Sequence, residues 1–240
     1  MQLPIGPDNV YAFAYTNEAL FQGAPRGLIV KFHGLNDSQM IKEPSVFAQE
    51  CAKRQLLLIQ PYDNPWSWMN DLAVKMVDAI VSVLLEKHQA AGIPIVSTGG
   101  SMGGLSSLIY TRYSRYAISA CSANCPVCDL PYHYTERPDL PRTIVSALAH
   151  YEMDFQRAME SISPLHQVAQ LPDIPYFIAH CEEDRSVNKQ MHSDRLVAAM
   201  QEHGKQIAYL SVPGQGHCAL TEEARAAYNA FIFSACGVEE

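Results

Sequence analysis

Short, predominantly apolar runs alternate along this chain with longer stretches whose apolar residues recur at helical spacing. The runs at 27–33 (GLIVKFH), 56–60 (LLLIQ) and 93–98 (IPIVST) show no polar face. That is the pattern of strands buried on both sides in a parallel sheet. Further strand signals fall at 10–16, 116–121, 175–180 and 206–212. Residues 43–54, 71–89, 105–113, 189–203 and 222–236 read as helices; in the second, Leu72, Met76, Ile80, Val83 and Leu84 form the apolar stripe. This alternation predicts an α/β fold, a mostly parallel central sheet flanked by helices. It stops at 122–172, a stretch rich in Pro, Cys, His and Tyr with room for two short helices. That stretch is expected to be a cap or lid inserted between two sheet strands, within a single domain spanning 1–240.

The turn after the third buried run reads Gly99-Gly100-Ser101-Met102-Gly103-Gly104. It contains G-x-S-x-G with a strand before it and a helix after it, the context in which a serine projects from a strained turn. Bulky neighbours would clash there, which accounts for the glycines. A serine at a helix N-terminus also faces unpaired backbone N–H groups, and the N–H of Met102 is placed to stabilise an oxyanion.

A serine hydroxyl needs a base, and the base an orienting acid. In the nucleophile-elbow design the acid follows the serine along the chain and the histidine comes last. Asp184, in a loop after the strand PYFIAH, and His217, in Gly214-Gln215-Gly216-His217, fall in that order. Glu183 is the alternative acid. The pair Phe32-His33 and the turn Gly34-Leu35 follow the first buried run; there the Leu35 N–H is expected to be the second oxyanion donor, with His33 buttressing the loop.

Taken together, HG at 33–34, GGSMGG at 99–104, D-x-x-V at 184–187 and G-x-G-H at 214–217 resemble the α/β-hydrolase superfamily over nearly the whole chain. GGSMGG and SPL at 163–165 are similar to its prolyl oligopeptidase-like and dienelactone hydrolase-like branches. The resemblance implies a serine hydrolase needing no cofactor and no metal. Prolyl oligopeptidases carry a large N-terminal propeller for which this chain has no room, and dienelactone hydrolases usually have cysteine where this chain has Ser101. Both departures favour a carboxylic ester of modest size, such as a small acyl, acylated-sugar or phenolic ester. A small serine peptidase or amidase is the rival activity, and a non-catalytic ligand-binding hydrolase fold the rival class.

Composition narrows the partners. The 240 residues carry a formal net charge of −8 and no Lys/Arg run, which excludes a nucleic-acid backbone as the natural partner. No apolar stretch is long enough for a membrane span, and MQLPIGPDNV lacks the features of a signal peptide. With seven cysteines, an odd number, the expectation is a cytoplasmic protein with reduced thiols. The partner is then a small-molecule ester; the oligomeric state is open. Cys121, Cys125 and Cys128 have the spacing of an iron–sulfur or zinc motif but no fourth ligand nearby, so buried or lid thiols are expected. Cys181 and Cys218 flank the expected site and are read as oxidant-sensitive without serving in catalysis. Trp66, Trp68, Tyr132 and His133 are candidates for the substrate pocket, the tryptophans in a loop at the carboxyl edge of the sheet and the other two in the lid.

Overall fold

The buried runs become the middle of a seven-stranded sheet in the order β1-β3-β2-β4-β5-β6-β7. The computed structural model describes residues 4–238. The strands are β1 (Ala14–Thr16), β2 (Gly27–Phe32), β3 (Leu56–Pro61), β4 (Ile95–Gly100), β5 (Ala120–Asn124), β6 (Tyr176–Cys181) and β7 (Ile207–Val212). Only β1 is antiparallel to its neighbour. The helices are α1 (Val46–Lys53), α2 (Asp71–Lys87), α3 (Met102–Tyr113), α4 (Leu130–Glu136), α5 (Leu140–Leu148), α6 (Phe155–Ser161), α7 (Arg195–Glu202) and α8 (Glu222–Ala235).

Apolar side chains of β2 split by parity: Leu28 and Val30 join the core beneath α2 and α3, whereas Ile29 joins the opposite core beneath α1 and α8. Both faces of the sheet are thus covered, which is why these strands show no polar alternation. Chain order reverses beside β2, since β3 lies on one side of it and β4 on the other. Such a switch point opens a crevice at the carboxyl ends of the strands. The loops after β2, β4, β5, β6 and β7 all emerge at that edge.

Three elements differ from the sequence expectation. Residues 10–12 form a 3-10 turn, leaving only Ala14–Thr16 as strand. The fifth strand is displaced from 116–121 to Ala120–Asn124. Its polar residues suit the interior because Ser122 Oγ donates to Thr98 Oγ1 at 2.8 Å, and Thr98 Oγ1 pairs with the Tyr228 hydroxyl at 2.9 Å. A buried hydroxyl ladder between strand and helix satisfies groups that hydropathy alone assigns to solvent. The segment between β5 and β6 holds three short helices, α4, α5 and α6, then a 3-10 turn at Pro164–Gln170. Asp129 and Asp154 cap α4 and α6 by accepting the N–H groups of Tyr132 and Arg157.

Candidate active site

Strand β4 ends at Gly100 and helix α3 begins at Met102, so Ser101 alone makes the turn, with φ 59° and ψ −124°. A non-glycine residue held in that region costs about 1–3 kcal/mol and persists only where its surroundings enforce it. The enforcement is visible. The Ser101 N–H donates to Asn124 O at 2.9 Å, and its carbonyl accepts from Gly104 and Leu105 at 3.0 and 3.2 Å, opening α3. A Cβ on Gly103 would lie 2.5 Å from Phe32 O and 2.6 Å from His33 O, so only glycine lets α3 press against the end of β2. Gly103→Ala is therefore expected to cost about 3 kcal/mol of stability, the upper end for overpacking because the clash is with backbone. Urea denaturation of this variant beside Gly34→Ala, where a Cβ meets nothing within 4 Å, checks it. Equal midpoints for the two variants would contradict the close-packing account.

That approach brings the N-terminus of α3 against the turn carrying Leu35. Among the described residues, neither the Met102 nor the Leu35 N–H has an acceptor from outside its own helix or turn. Two unengaged donors beside a serine are what an oxyanion requires. The Leu35 turn is braced by His33, whose Nδ1–H donates to Gly34 O at 2.8 Å while Nε2 lies 3.0 Å from Asp63 Oδ1. Burial alone would lower the His33 pKa, but the Asp63 and Gly34 contacts outweigh it and raise it to about 9. A buried His33–Asp63 pair thus underlies the loop.

Asp184 and His217 meet directly: His217 Nδ1–H donates to Asp184 Oδ2 at 2.6 Å. The Asp184 side chain is fully buried, and its other oxygen accepts from Ser186 N at 2.8 Å and Val187 N at 3.0 Å. Burial opposes ionisation, yet hydrogen bonds from His180, His217 and Val187 hold its pKa far below the ordinary carboxylate value. Glu183 is exposed and makes no hydrogen bond or ion pair with His217; its backbone N–H donates to Gln215 O. For His217, burial again acts downward, but bonds to Asp184 and Cys125 raise its pKa to about 9. Ser101 and His217 line one cavity. In this arrangement no hydrogen bond joins Ser101 Oγ to the ring; His217 Nε2 faces the Cys218 thiol at 3.7 Å. Such contacts often form only when substrate arrives.

The cavity has a volume of about 510 Å³. Lys31, Leu35, Trp68, His133 and Arg137 share its wall with Ser101 and His217. Of the expected pocket residues, then, Trp68 and His133 reach it. Trp68 is wholly buried and held by a bond from Nε1–H to Thr143 Oγ1 at 3.1 Å, so it lines the cavity as part of the core. Trp66 and Tyr132 lie outside this wall. Trp66 is tied to Asn36 Oδ1 at 2.5 Å with Arg142 over its ring, and Tyr132 borders a separate hollow beside Arg185.

Several residues at the site gave no sequence signal. His180 places Nε2 3.3 Å from Asp184 Oδ2 and accepts the Ser193 hydroxyl at Nδ1, 2.6 Å away. Glu136 receives both His133 Nδ1–H and His192 Nε2–H, the latter at 2.8 Å; these bonds overcome burial and lower its pKa to about 2. Its other oxygen accepts Asn188 N at 3.2 Å, which joins α4 to the loop after Asp184. With Nδ1–H committed to Glu136, His133 keeps Nε2 as an acceptor, and the residue lines the cavity. The cysteine triplet disperses. Cys121 lies in β5 within the core, the Cys128 thiol donates to Pro126 O, and Cys125 sits against His217 and Cys218. No metal-like cluster among the described residues collects all three.

A mostly parallel sheet flanked by helices, with a serine on the strand-to-helix elbow and an Asp–His pair at the same edge, is the α/β-hydrolase fold. Residues 71–234 match the prolyl oligopeptidase family, and the chain belongs to that family. No curated protein matches its sequence. Its fold is similar to a puromycin-hydrolyzing peptidase of Mycobacterium tuberculosis, with TM-score 0.75, 20% identity, and coverage of 91% of this chain and 35% of that one. The acylaminoacyl peptidase of Pyrococcus horikoshii aligns with TM-score 0.70 and 14% identity over 89% of this chain and 37% of that one. Esterase B from Lactobacillus Rhamnosis aligns with TM-score 0.70 and 10% identity over 90% and 77%. The chain thus spans about a third of the length of the peptidases it resembles. Among the described residues no helix is long and apolar enough to cross a membrane.

Proposed function

We propose that this protein hydrolyses small carboxylic esters through Ser101, His217 and Asp184. His217 Nε2 takes the Ser101 proton as Oγ attacks the ester carbonyl, and Asp184 orients the ring and stabilises the imidazolium. The N–H groups of Met102 and Leu35 hold the oxyanion. His217 then protonates the leaving alcohol, and water repeats the cycle on the acyl-enzyme. The observation that carries the ester reading is the cavity wall. Its charged residues apart from the histidines are Lys31, Arg137 and Asp37, and Asp37 is an exposed loop residue. Among the described residues no buried carboxylate lines the space to bind a peptide's ammonium end, whereas His133 in its wall can accept a hydroxyl of an alcohol or sugar at Nε2.

Family membership and the peptidase neighbours favour the second reading, a small serine peptidase. Initial rates on p-nitrophenyl acetate, butyrate and octanoate, beside aminoacyl and prolyl anilides, separate the two. The acetate and butyrate are expected to turn over fastest. Anilide turnover exceeding ester turnover would overturn the ester assignment in favour of the peptidase.

The pH profile carries its own expectation. Only deprotonated His217 can accept the serine proton, and its pKa is raised from 6.5 to about 9. The protonated ring therefore predominates at neutral pH, and kcat/KM on an ester rises with pH until about 9. A profile already flat at neutral pH would contradict this assignment of the base.

A further inference from the structure

Two thiols crowd the nitrogen that the proposed reaction uses. Cys125 Sγ, Cys218 Sγ and His217 Nε2 all lie within 4.8 Å of one another, and the Cys218 Sγ to Nε2 distance is 3.7 Å. Tetrahedral zinc, with Zn–S near 2.3 Å and Zn–N near 2.05 Å, separates a sulfur and a nitrogen ligand by about 3.6 Å. The Cys218–His217 pair already has that spacing, and Cys125 Sγ, within 4.8 Å of both, must draw in by no more than about 1.2 Å to share one ion.

The backbone prepares them for it. Both cysteines occupy left-handed conformations, φ 45° at Cys125 and 58° at Cys218, uncommon for residues other than glycine and held here by the structure around His217. Cys125 Sγ accepts the N–H groups of Cys181 and Cys218 at 3.3 and 3.4 Å, which fixes the sulfur beside His217 and Cys218. Asp184 holds Nδ1–H, the carboxylate–histidine arrangement that orients imidazole toward zinc. Cys218 lines the cavity, so an ion has a route in and a fourth position open to water.

We propose that Cys125, His217 and Cys218 form a binding site for a thiophilic divalent cation, zinc(II) in the first instance, and that its occupancy blocks hydrolysis. Zinc replaces the two thiol protons, and any proton on Nε2, which pass to solvent; no redox change occurs. With Nε2 bound to zinc, His217 cannot accept the serine proton. Magnesium and calcium, which require oxygen donors, do not compete for two sulfurs. Among the described residues two other clusters of suitable side chains are poorer candidates: Cys125, His180 and Asp184, where both His180 ring nitrogens are already engaged by Ser193 and Val187, and His133, Glu136 and His192. His192 Nδ1 accepts the N–H groups of Cys128 and Asp129, so Nε2 keeps its proton and cannot ligate.

The blocking step rests on the proposed role of His217, but the binding step does not. Binding is measured first, on the full reduced chain, by calorimetry with zinc chloride and by absorbance with cobalt(II). Wild type and Ser101→Ala are both expected to take up about one equivalent and to show a thiolate-to-cobalt charge-transfer band. Cys218→Ser and Cys125→Ser are expected to lose that band and to bind zinc weaker by a factor on the order of 100 or more. The absence of the band in wild type overturns the site whatever the fold of the variants. Ester turnover of wild type is expected to fall in proportion to bound zinc, to return on adding a chelator and to ignore magnesium. Zinc inhibition undiminished in Cys218→Ser would place the ion elsewhere and overturn the proposal. A cobalt–thiolate band with unchanged turnover would remove His217 from the ligand set. A protein inactive on every substrate but carrying the band would count against the hydrolytic reading alone.

Discussion

Replacing Ser101 by alanine is expected to lower kcat on p-nitrophenyl butyrate by a factor on the order of 10,000 to 1,000,000 with little change in folding stability. The kinetic part follows from covalent catalysis. Without Oγ there is no acyl-enzyme, and the Met102 and Leu35 donors can only assist water. The stability part follows from where the residue's work is done. Its backbone N–H and carbonyl hold the elbow through Asn124, Gly104 and Leu105, bonds that alanine keeps. The hydroxyl itself makes no hydrogen bond to His217 in the resting arrangement, so its loss leaves no buried partner unsatisfied. Urea denaturation beside steady-state kinetics reads both halves. A loss of less than about 10-fold would mean that another atom attacks. The Cys218 thiol, 3.7 Å from His217 Nε2, would then be tested with an alkylating reagent.

Long-range order was legible where local pattern and burial agree. Buried strands such as Leu56–Pro61 carry no polar face, and a strand, a glycine turn and a helix around Ser101 leave few alternatives. Chain order placed Asp184 and His217 in loops that the sheet then gathers at one edge. The strand Ala120–Asn124 was misplaced because its polar residues bond across β4 to Tyr228, more than a hundred positions away in sequence. The pocket was legible only in part for the same reason. Trp66 and Trp68 are two residues apart in one loop, yet Trp68 turns into the core toward Thr143 while Trp66 turns out toward Asn36. Cys125 and Cys218 meet only because β5 and the loop after β7 end at the same edge; spacing along the chain suggested Cys121 and Cys128 as the partners of Cys125 instead.

The choice between the two neighbouring carboxylates yields the other large effect. Asp184→Asn is expected to lower kcat about 10,000-fold, whereas Glu183→Gln changes it by less than about 3-fold. The argument is one of hydrogen-bond polarity. Asp184 Oδ1 accepts two backbone N–H groups, from Ser186 and Val187, so the carbonyl oxygen of an asparagine must take that side. Its amide NH2 then faces His217 Nδ1 and His180 Nε2, both donors in the native site. To avoid a donor–donor contact, His217 must carry its proton on Nε2 and offer Nδ1 as acceptor. The nitrogen facing the cavity can then no longer take the serine proton. Loss of the buried negative charge also removes the main bond that raises the His217 pKa, so whatever activity remains is expected to have its pH midpoint below about 9. A second consequence concerns stability. The folded-state pKa of Asp184 lies far below the unfolded value of 3.8, so its contribution is present above 3.8 and is lost as pH falls toward the folded value. The asparagine variant lacks this component of acid lability, and the wild type's stability advantage over it should shrink as pH drops below 3.8. Glu183, exposed and engaged only through its backbone, has no comparable role to lose. Kinetics of both variants on one ester decide the matter: a larger loss in Glu183→Gln than in Asp184→Asn would show that the acid is Glu183 and that the 2.6 Å contact between Asp184 and His217 is structural.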